Sequence, residues 1–412
     1  MLGTVFTLKN AWRNVVVVLA TSMVIGGFAV PAGATPTSFT QGDLVIYETQ
    51  GTSNAAQAVD LVDYSTSGTP SGFSVALPTT ASGSNSPLVE SGSALNDGLL
   101  TDSADGESLV ATGYDAATGT ASITGSTVPR TVAIVSPAGG VDTTTTLSDG
   151  TTEGNNFRSA TTASTGATNI YTGGGGGLGY ATYDNSNSST PYLNTSKVHE
   201  VLINGGQLYA STTTNIFSIG SGLPTSGTPT ATALLSGTNL PSHFGPDQFA
   251  FATLGSDAGP DTLYVADGSN GATSGEPNAV EKYSLESGVW TATGSVTVPL
   301  AVGVAVSVSG STVNIYATGA TSSSASNNTI LYGMTDSSGY GGTLSGSCTG
   351  TVSNCTTLAT APTGTDFKGL AWAPVSPGSG TPETSVVIGL PVLGALLIGG
   401  YVVVYRRRAR TA

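Results

Sequence analysis

Short runs in which apolar positions alternate with small or polar ones recur along residues 39–374, each closed by Gly, Asp, Ser or Pro. Six of them share one form, an aliphatic residue, a tyrosine and a third residue: Ile46-Tyr47-Glu48, Ile170-Tyr171-Thr172, Leu208-Tyr209-Ala210, Leu263-Tyr264-Val265, Ile315-Tyr316-Ala317 and Leu331-Tyr332-Gly333. Alternation with period two between turn formers predicts strands, and no amphipathic helical period competes with it. From 170 through 208 and 263 to 315 the intervals are 38, 55 and 52 residues. A second short strand follows two of the later runs, at Ile216-Phe217-Ser218-Ile219 and Ala279-Val280-Glu281-Lys282-Tyr283. Strand, loop, strand and polar turn at a spacing of about 40 to 50 residues predict the blades of a β-propeller.

Residues 39–374 number 336, or 48 per blade for seven blades, so the expectation is an all-β, seven-bladed ring. Ring closure must join the ends. Phe367-Lys368-Gly369-Leu370-Ala371-Trp372 and Asp43-Leu44-Val45-Ile46-Tyr47 both alternate, and they are predicted to share one composite blade. A parallel β-solenoid is the competing all-β fold. Its coils repeat every ~20–30 residues, and no such period occurs.

Two longer apolar stretches lie outside this region. Lys9 and Arg13 precede an apolar run from Val15 to Val30, and Ala32-Gly33-Ala34 supplies the small residues of a cleavage site after Ala34. Residues 1–34 therefore have the layout of a secretory signal peptide. Residues 385–405 form 21 positions without a charge, enough at about 1.5 Å per residue to cross a hydrocarbon core of about 30 Å. Arg406, Arg407, Arg408 and Arg410 follow, as expected of a cytoplasmic flank. The organisation expected is an exported ectodomain over 35–374, a linker over 375–384, a transmembrane helix over 385–405 and a basic tail over 406–412, anchored in the cell membrane with the ectodomain outside.

Composition sharpens this picture. Residues 35–384 have five basic residues, Arg130, Arg158, Lys197, Lys282 and Lys368, against all 25 acidic ones, a net of −20. Nucleic acid and anionic lipid require clustered Lys and Arg, so neither is an expected partner. Gly, Ser, Thr, Ala and Val dominate, which disfavours helix. The recurring β-type clusters argue against disorder. Cys348 and Cys355, with six residues between them in a Gly/Ser/Thr segment of an exported chain, are expected to form a disulfide closing a hairpin.

Candidate chemistry is sparse. The run from Gly173 to Gly177 lacks the Gly-Lys-Ser/Thr and the helix of a phosphate loop, so close backbone approach or a tight turn is its expected use. The two histidines differ: His199 sits in a strand, whereas His243 lies in a loop that could line a channel mouth. No hydrolase or metalloprotease motif accompanies either. Asp97, Asp102, Asp105 and Glu107 cluster, and Asp257, Asp261 and Asp267 form a looser group. Asp102, Asp105 and Glu107 are the candidate ligands of a calcium ion, weighed against ordinary hairpin turns.

The segments 198–211, 261–267 and 367–374 resemble secreted bacterial cell-surface β-propeller proteins with C-terminal membrane or sorting anchors. Thr381-Pro382-Glu383-Thr384 before the apolar run also resembles, in layout, the tails handled by sorting enzymes of the exosortase type. The resemblance implies a fold and a surface location and carries over no catalytic residue. The function expected is non-catalytic binding of a glycan, cell-wall or protein ligand. The alternative is a hydrolase or lyase using channel carboxylates, with calcium as the candidate cofactor.

Overall fold

The structure, a computed structural model, describes residues 36–148, 155–166, 168–183, 192–194, 197–236, 240–241, 244–255, 259–268, 278–349 and 354–377. Blade 1 takes β1 (Leu44–Thr49), β3 (Val59–Tyr64) and β4 (Pro70–Ala76) from the start of the domain. A small ladder of β2 (Ala56–Gln57) with β5 (Glu90–Ser91) leads to blade 2, made of β6 (Thr101–Asp102), β7 (Leu109–Tyr114), β8 (Arg130–Val135) and β9 (Val141–Leu147). Blade 3 is β10 (Phe157–Thr162), β11 (Asn169–Gly174), β12 (Gly177–Thr182) and β13 (Tyr192–Asn194). Blade 4 is β14 (Val198–Asn204), β15 (Gln207–Thr212), β16 (Ile216–Ile219) and β17 (Ala231–Ala233). Blade 5 is β18 (Pro246–Ala252), β19 (Thr262–Asp267), β20 (Ala279–Glu286) and β21 (Val289–Thr297), with β25 (Leu344–Ser347) added in parallel at its outer edge. Blade 6 is β22 (Gly303–Ser309), β23 (Thr312–Gly319), β24 (Ile330–Asp336) and β26 (Cys355–Thr360).

The ring closes as expected. The last strand, β27 (Asp366–Trp372), pairs antiparallel with β1, Leu44 opposite Trp372 and Ile46 opposite Leu370, and becomes the innermost strand of blade 1. The blade count is corrected from seven to six. The 336 residues divide into 56 per blade, not 48, because three excursions lengthen the connections. They are residues 77–100 between blades 1 and 2, residues 115–129 with a 3-10 turn at Ile123–Gly125, and the stretch after β24, of which residues 337–349 return to the edge of blade 5.

Each strand presents one row of side chains to either neighbouring blade, so the core is divided into interfaces. Six hydrophobic clusters fill six interfaces; Tyr47 and Val45 of blade 1, for instance, meet Leu109 and Ala111 of blade 2. The tyrosine of the recurring run lies in the second strand of five blades, at Tyr47, Tyr171, Tyr209, Tyr264 and Tyr316; Tyr332 lies in a third strand. Its ring supplies area, and in two blades its hydroxyl reaches the next one: Tyr47 donates to the Thr112 carbonyl (2.8 Å) and Tyr264 to Asp336 (2.7 Å).

Cys348 and Cys355 form the expected disulfide, with S–S 2.04 Å and Cα–Cα 4.9 Å. It does not close a hairpin. Cys348 follows β25, which pairs with β21 of blade 5, whereas Cys355 opens β26, which pairs with β24 of blade 6. The bridge ties the rims of two blades. Replacing both cysteines by serine is expected to cost about 2 kcal/mol by restoring loop entropy to the unfolded chain. It should lower the denaturant midpoint without changing the slope, and an unchanged midpoint would show that the bridge holds nothing.

Among the described residues no helix is long and apolar enough to cross a membrane. The segments carrying the export and anchor expectations, 1–34 with Ala34 and 385–412 with Arg406, Arg407, Arg408 and Arg410, lie outside the described residues.

Candidate functional site

The axis of the ring is built from the leading ends of the six inner strands. Buried hydrogen bonds join each blade to the next, and a set of six runs round the ring. Leu99 N–H donates to Arg158 O (2.9 Å), Ser159 Oγ to His199 O (2.8 Å) and Ser211 Oγ to Asp247 O (2.6 Å). Gln248 N–H donates to Val302 O (3.1 Å), Thr318 Oγ1 to Lys368 O (2.6 Å) and Gly369 N–H to Gly98 O (3.0 Å). Ser211 and Thr318 each stand two residues after the tyrosine of their blade. Each also accepts an N–H from its own inner strand, Glu200 and Gly303 respectively. A hydroxyl at that place is thus a clasp between blades.

Gln248 spans the centre. Its Nε2 donates to Leu100 O (2.7 Å) and to Glu200 Oε1 (3.0 Å), while its Oε1 accepts from Leu370 N–H (2.9 Å). One amide therefore connects blades 5, 2, 4 and 1. Gly303 and Gly369 make the space: a β-carbon on either would lie within 3.0 Å of Gln248 Oε1. Glu200 Oε2 accepts from Phe249 N–H (2.7 Å).

Beside this plug lies a cavity of about 50 Å³ whose carboxyls are those of Asp102 and Glu200, with Asn204, Val306 and Trp372 among its walls. At about 10–15 Å³ for each water, it has room for a few waters and none for a sugar ring. Burial pushes Glu200 up to about 8, with Asp247 and Asp102 adding repulsion against the lowering by its two donors. Burial also raises Asp102 to about 8, partly offset by the Trp372 N–H; its Oδ1 is buried without a hydrogen-bond partner. Burial likewise lifts Asp267 to about 7 and Glu281 to about 8.

These four carboxyls set a pH dependence. Unfolded, they titrate near 4; folded, near 7 to 8, so between these values the native chain holds more protons. Stability is expected to fall as pH rises from about 5 to 8, and Glu200→Gln to remove about a quarter of the slope these four contribute. Melting temperatures across that range check it; a flat or rising profile would refute it.

The other residues singled out in the sequence have structural places. Asp105 Oδ1 accepts from Ser103 Oγ and Glu107 N–H, and its Oδ2 from Thr165 N–H, so it holds the turn after β6. Asp102 faces the axis instead, and the three proposed calcium ligands do not converge; among the described residues no three acidic, His or Cys side chains form a metal-binding group. Asp97 accepts from Tyr114 (3.0 Å) and Asn156 and lies 3.6 Å from Arg158 Nε. Asp261 accepts from Leu254 and Gly255 N–H, and Asp267 from Gly245 N–H. His199, 1% exposed, sets Nδ1 2.9 Å from Asp247 Oδ1 and 2.8 Å from Pro246 O. His243 and Asp257 lie outside the described residues. The glycine run forms the β11–β12 hairpin, where a β-carbon on Gly174 would stand 2.4 Å from Asn156 O. Close approach is its use. Arg130, Arg158, Lys282 and Lys368 are buried, and Lys197 is the exposed cation among the described residues.

No family model matches the chain, and no curated protein matches it in sequence. Its likeness to solved structures is one of fold. A chain of a nidogen/laminin complex is 11% identical, covers 81% of this chain and 99% of its own, and has a TM-score of 0.42. A Bacteroides uniformis ATCC 8492 protein carrying the provisional name 6-phosphogluconolactonase is 15% identical over 71% of this chain and 79% of its own, with a TM-score of 0.40. The Dos1 propeller is 11% identical over 59% of each chain, with a TM-score of 0.35.

Proposed function

We propose that this chain is a membrane-tethered, extracellular propeller that binds a glycan, cell-wall or protein ligand through its blades and loops and carries out no catalysis. The observation that supports the reading most is the state of the axis: Gln248 closes it with three hydrogen bonds, and the cavity beside it is about 50 Å³. A surface with one exposed cation among the described residues also favours neutral or basic ligands over nucleic acid.

The second reading, a hydrolase or lyase with calcium as its candidate cofactor, draws on Asp102 and Glu200, two carboxyls held protonated at neutral pH beside one cavity. A pull-down of the full chain on glycan and cell-wall polymers, with and without chelator, separates the two. Retention without turnover supports binding. Polymer cleavage that is lost in Glu200→Gln would overturn it. The anchor is tested by fractionation: release from membranes only by detergent is expected, and protein free in the medium would indicate a cut tail.

A further inference from the structure

We propose that the cleft between blades 4 and 5 is a binding site for a neutral pyranose ring. This rests on the binding reading above and names its place and ligand class. The cleft holds about 280 Å³, several times the axial cavity and near the lower end of small-molecule sites. Tyr209 from β15, Phe251 from β18 and Trp290 from β21 supply its aromatic walls. The rings brace one another, with centroids 4.8 Å apart for Tyr209–Phe251 and 6.1 Å for Phe251–Trp290, so the walls are preformed.

The polar groups select the ligand. Among the described residues the Tyr209 hydroxyl and the Trp290 indole N–H are bonded to no other protein group, and neither is among the buried unpaired polar atoms, so both donors are open to a ligand. Burial raises the Tyr209 pKa, so the phenol stays protonated and can donate. Two donors beside aromatic faces call for a ligand with hydroxyl acceptors and an apolar face, which a pyranose has. No Lys or Arg lines the cleft, which disfavours an anion. The carboxylate there, Asp261, already accepts from Leu254 N–H (2.9 Å), Gly255 N–H (2.7 Å) and Thr262 Oγ1 (2.9 Å), so it is poorly placed to recruit an ammonium group. On the rim, Tyr340, 40% exposed, donates to the carbonyl of the cleft residue Leu285.

The test is a calorimetric titration of the full chain with methyl glucopyranoside, methyl N-acetylglucosaminide, cellobiose and chitobiose, with choline and sialic acid as charged competitors. Tyr209→Phe and Trp290→Phe each keep a ring and remove one donor. Each is expected to weaken sugar binding about three- to tenfold, the worth of one lost hydrogen bond, while melting close to the parent chain. Trp372→Phe, away from the cleft, should bind as the parent does. A response to choline or sialic acid in place of the neutral sugars would overturn the proposal, and so would no response at all. If the chain retains wall polymers and both donor variants retain them equally, the cleft assignment falls while the binding reading stands. If neither polymer nor sugar is held, both fall.

Discussion

Lys368→Met is expected to destabilise the ring by about 3–5 kcal/mol, the range for breaking one side of a buried ion pair. Lys368 is 0% exposed, and its Nζ donates to Asp366 Oδ2 (2.8 Å), Ala94 O (2.9 Å) and Gly92 O (3.1 Å). It therefore pins the closing strand β27 to the excursion that crosses from blade 1 to blade 2. Methionine fills the volume but leaves Asp366 buried without its counter-charge. Burial already raises the Asp366 pKa and Lys368 draws it back down, so the variant carboxyl should rise further and stay protonated. Asp366→Asn in the same background removes the stranded charge and is expected to recover most of the loss. Urea unfolding of the two singles and the double gives the coupling. A loss below about 1 kcal/mol for Lys368→Met would mean that the pair is not what holds the seam.

Much of the ring was legible because its strands are short and half-buried. The aliphatic–Tyr pairs mark second strands in five blades, and the alternation at 43–47 and 367–372 foretold the composite blade. Blade 2 stayed hidden. Its second strand, Leu109–Tyr114, carries tyrosine at the end rather than in the middle, and its inner strand is two residues long. Dividing length by a uniform period then gave one blade too many, since connections obey no period. The site was far less legible. Glu200 and Gln248 are 48 residues apart, and nothing local in either strand says that they meet; only closure brings Leu100, Glu200, Gln248 and Leu370 to one point. Charge counts carry no depth either: four of the five ectodomain cations are buried against carbonyls and carboxylates. A signal was present in the hydroxyl two residues after tyrosine, at Ser211 and Thr318, whose repetition is the sequence trace of the clasps between blades.

Gln248→Leu should cost about 3 kcal/mol or more, because it strips partners from three buried groups at once: Leu100 O, Glu200 Oε1 and Leu370 N–H. Leucine keeps roughly the volume, so a large effect would measure the polar bonds rather than a cavity. Gln248→Glu separates the contributions. It retains an acceptor for Leu370 N–H but sets an oxygen against Leu100 O and Glu200 Oε1, adding a third carboxyl to Asp102 and Glu200 at the axis. Its folded form must hold an extra proton, so its deficit should be small near pH 5 and grow towards pH 8, steeper than in the parent chain. Thermal melts of both variants at the two pH values check this. Equal losses at both pH values in Gln248→Glu would mean that the axis admits enough water to solvate the new charge, and the plug would then be open. The same variants also bear on function. If ligands are held in the cleft between blades 4 and 5, Gln248→Leu leaves sugar affinity unchanged at temperatures where it is folded; a loss of affinity would argue against the cleft.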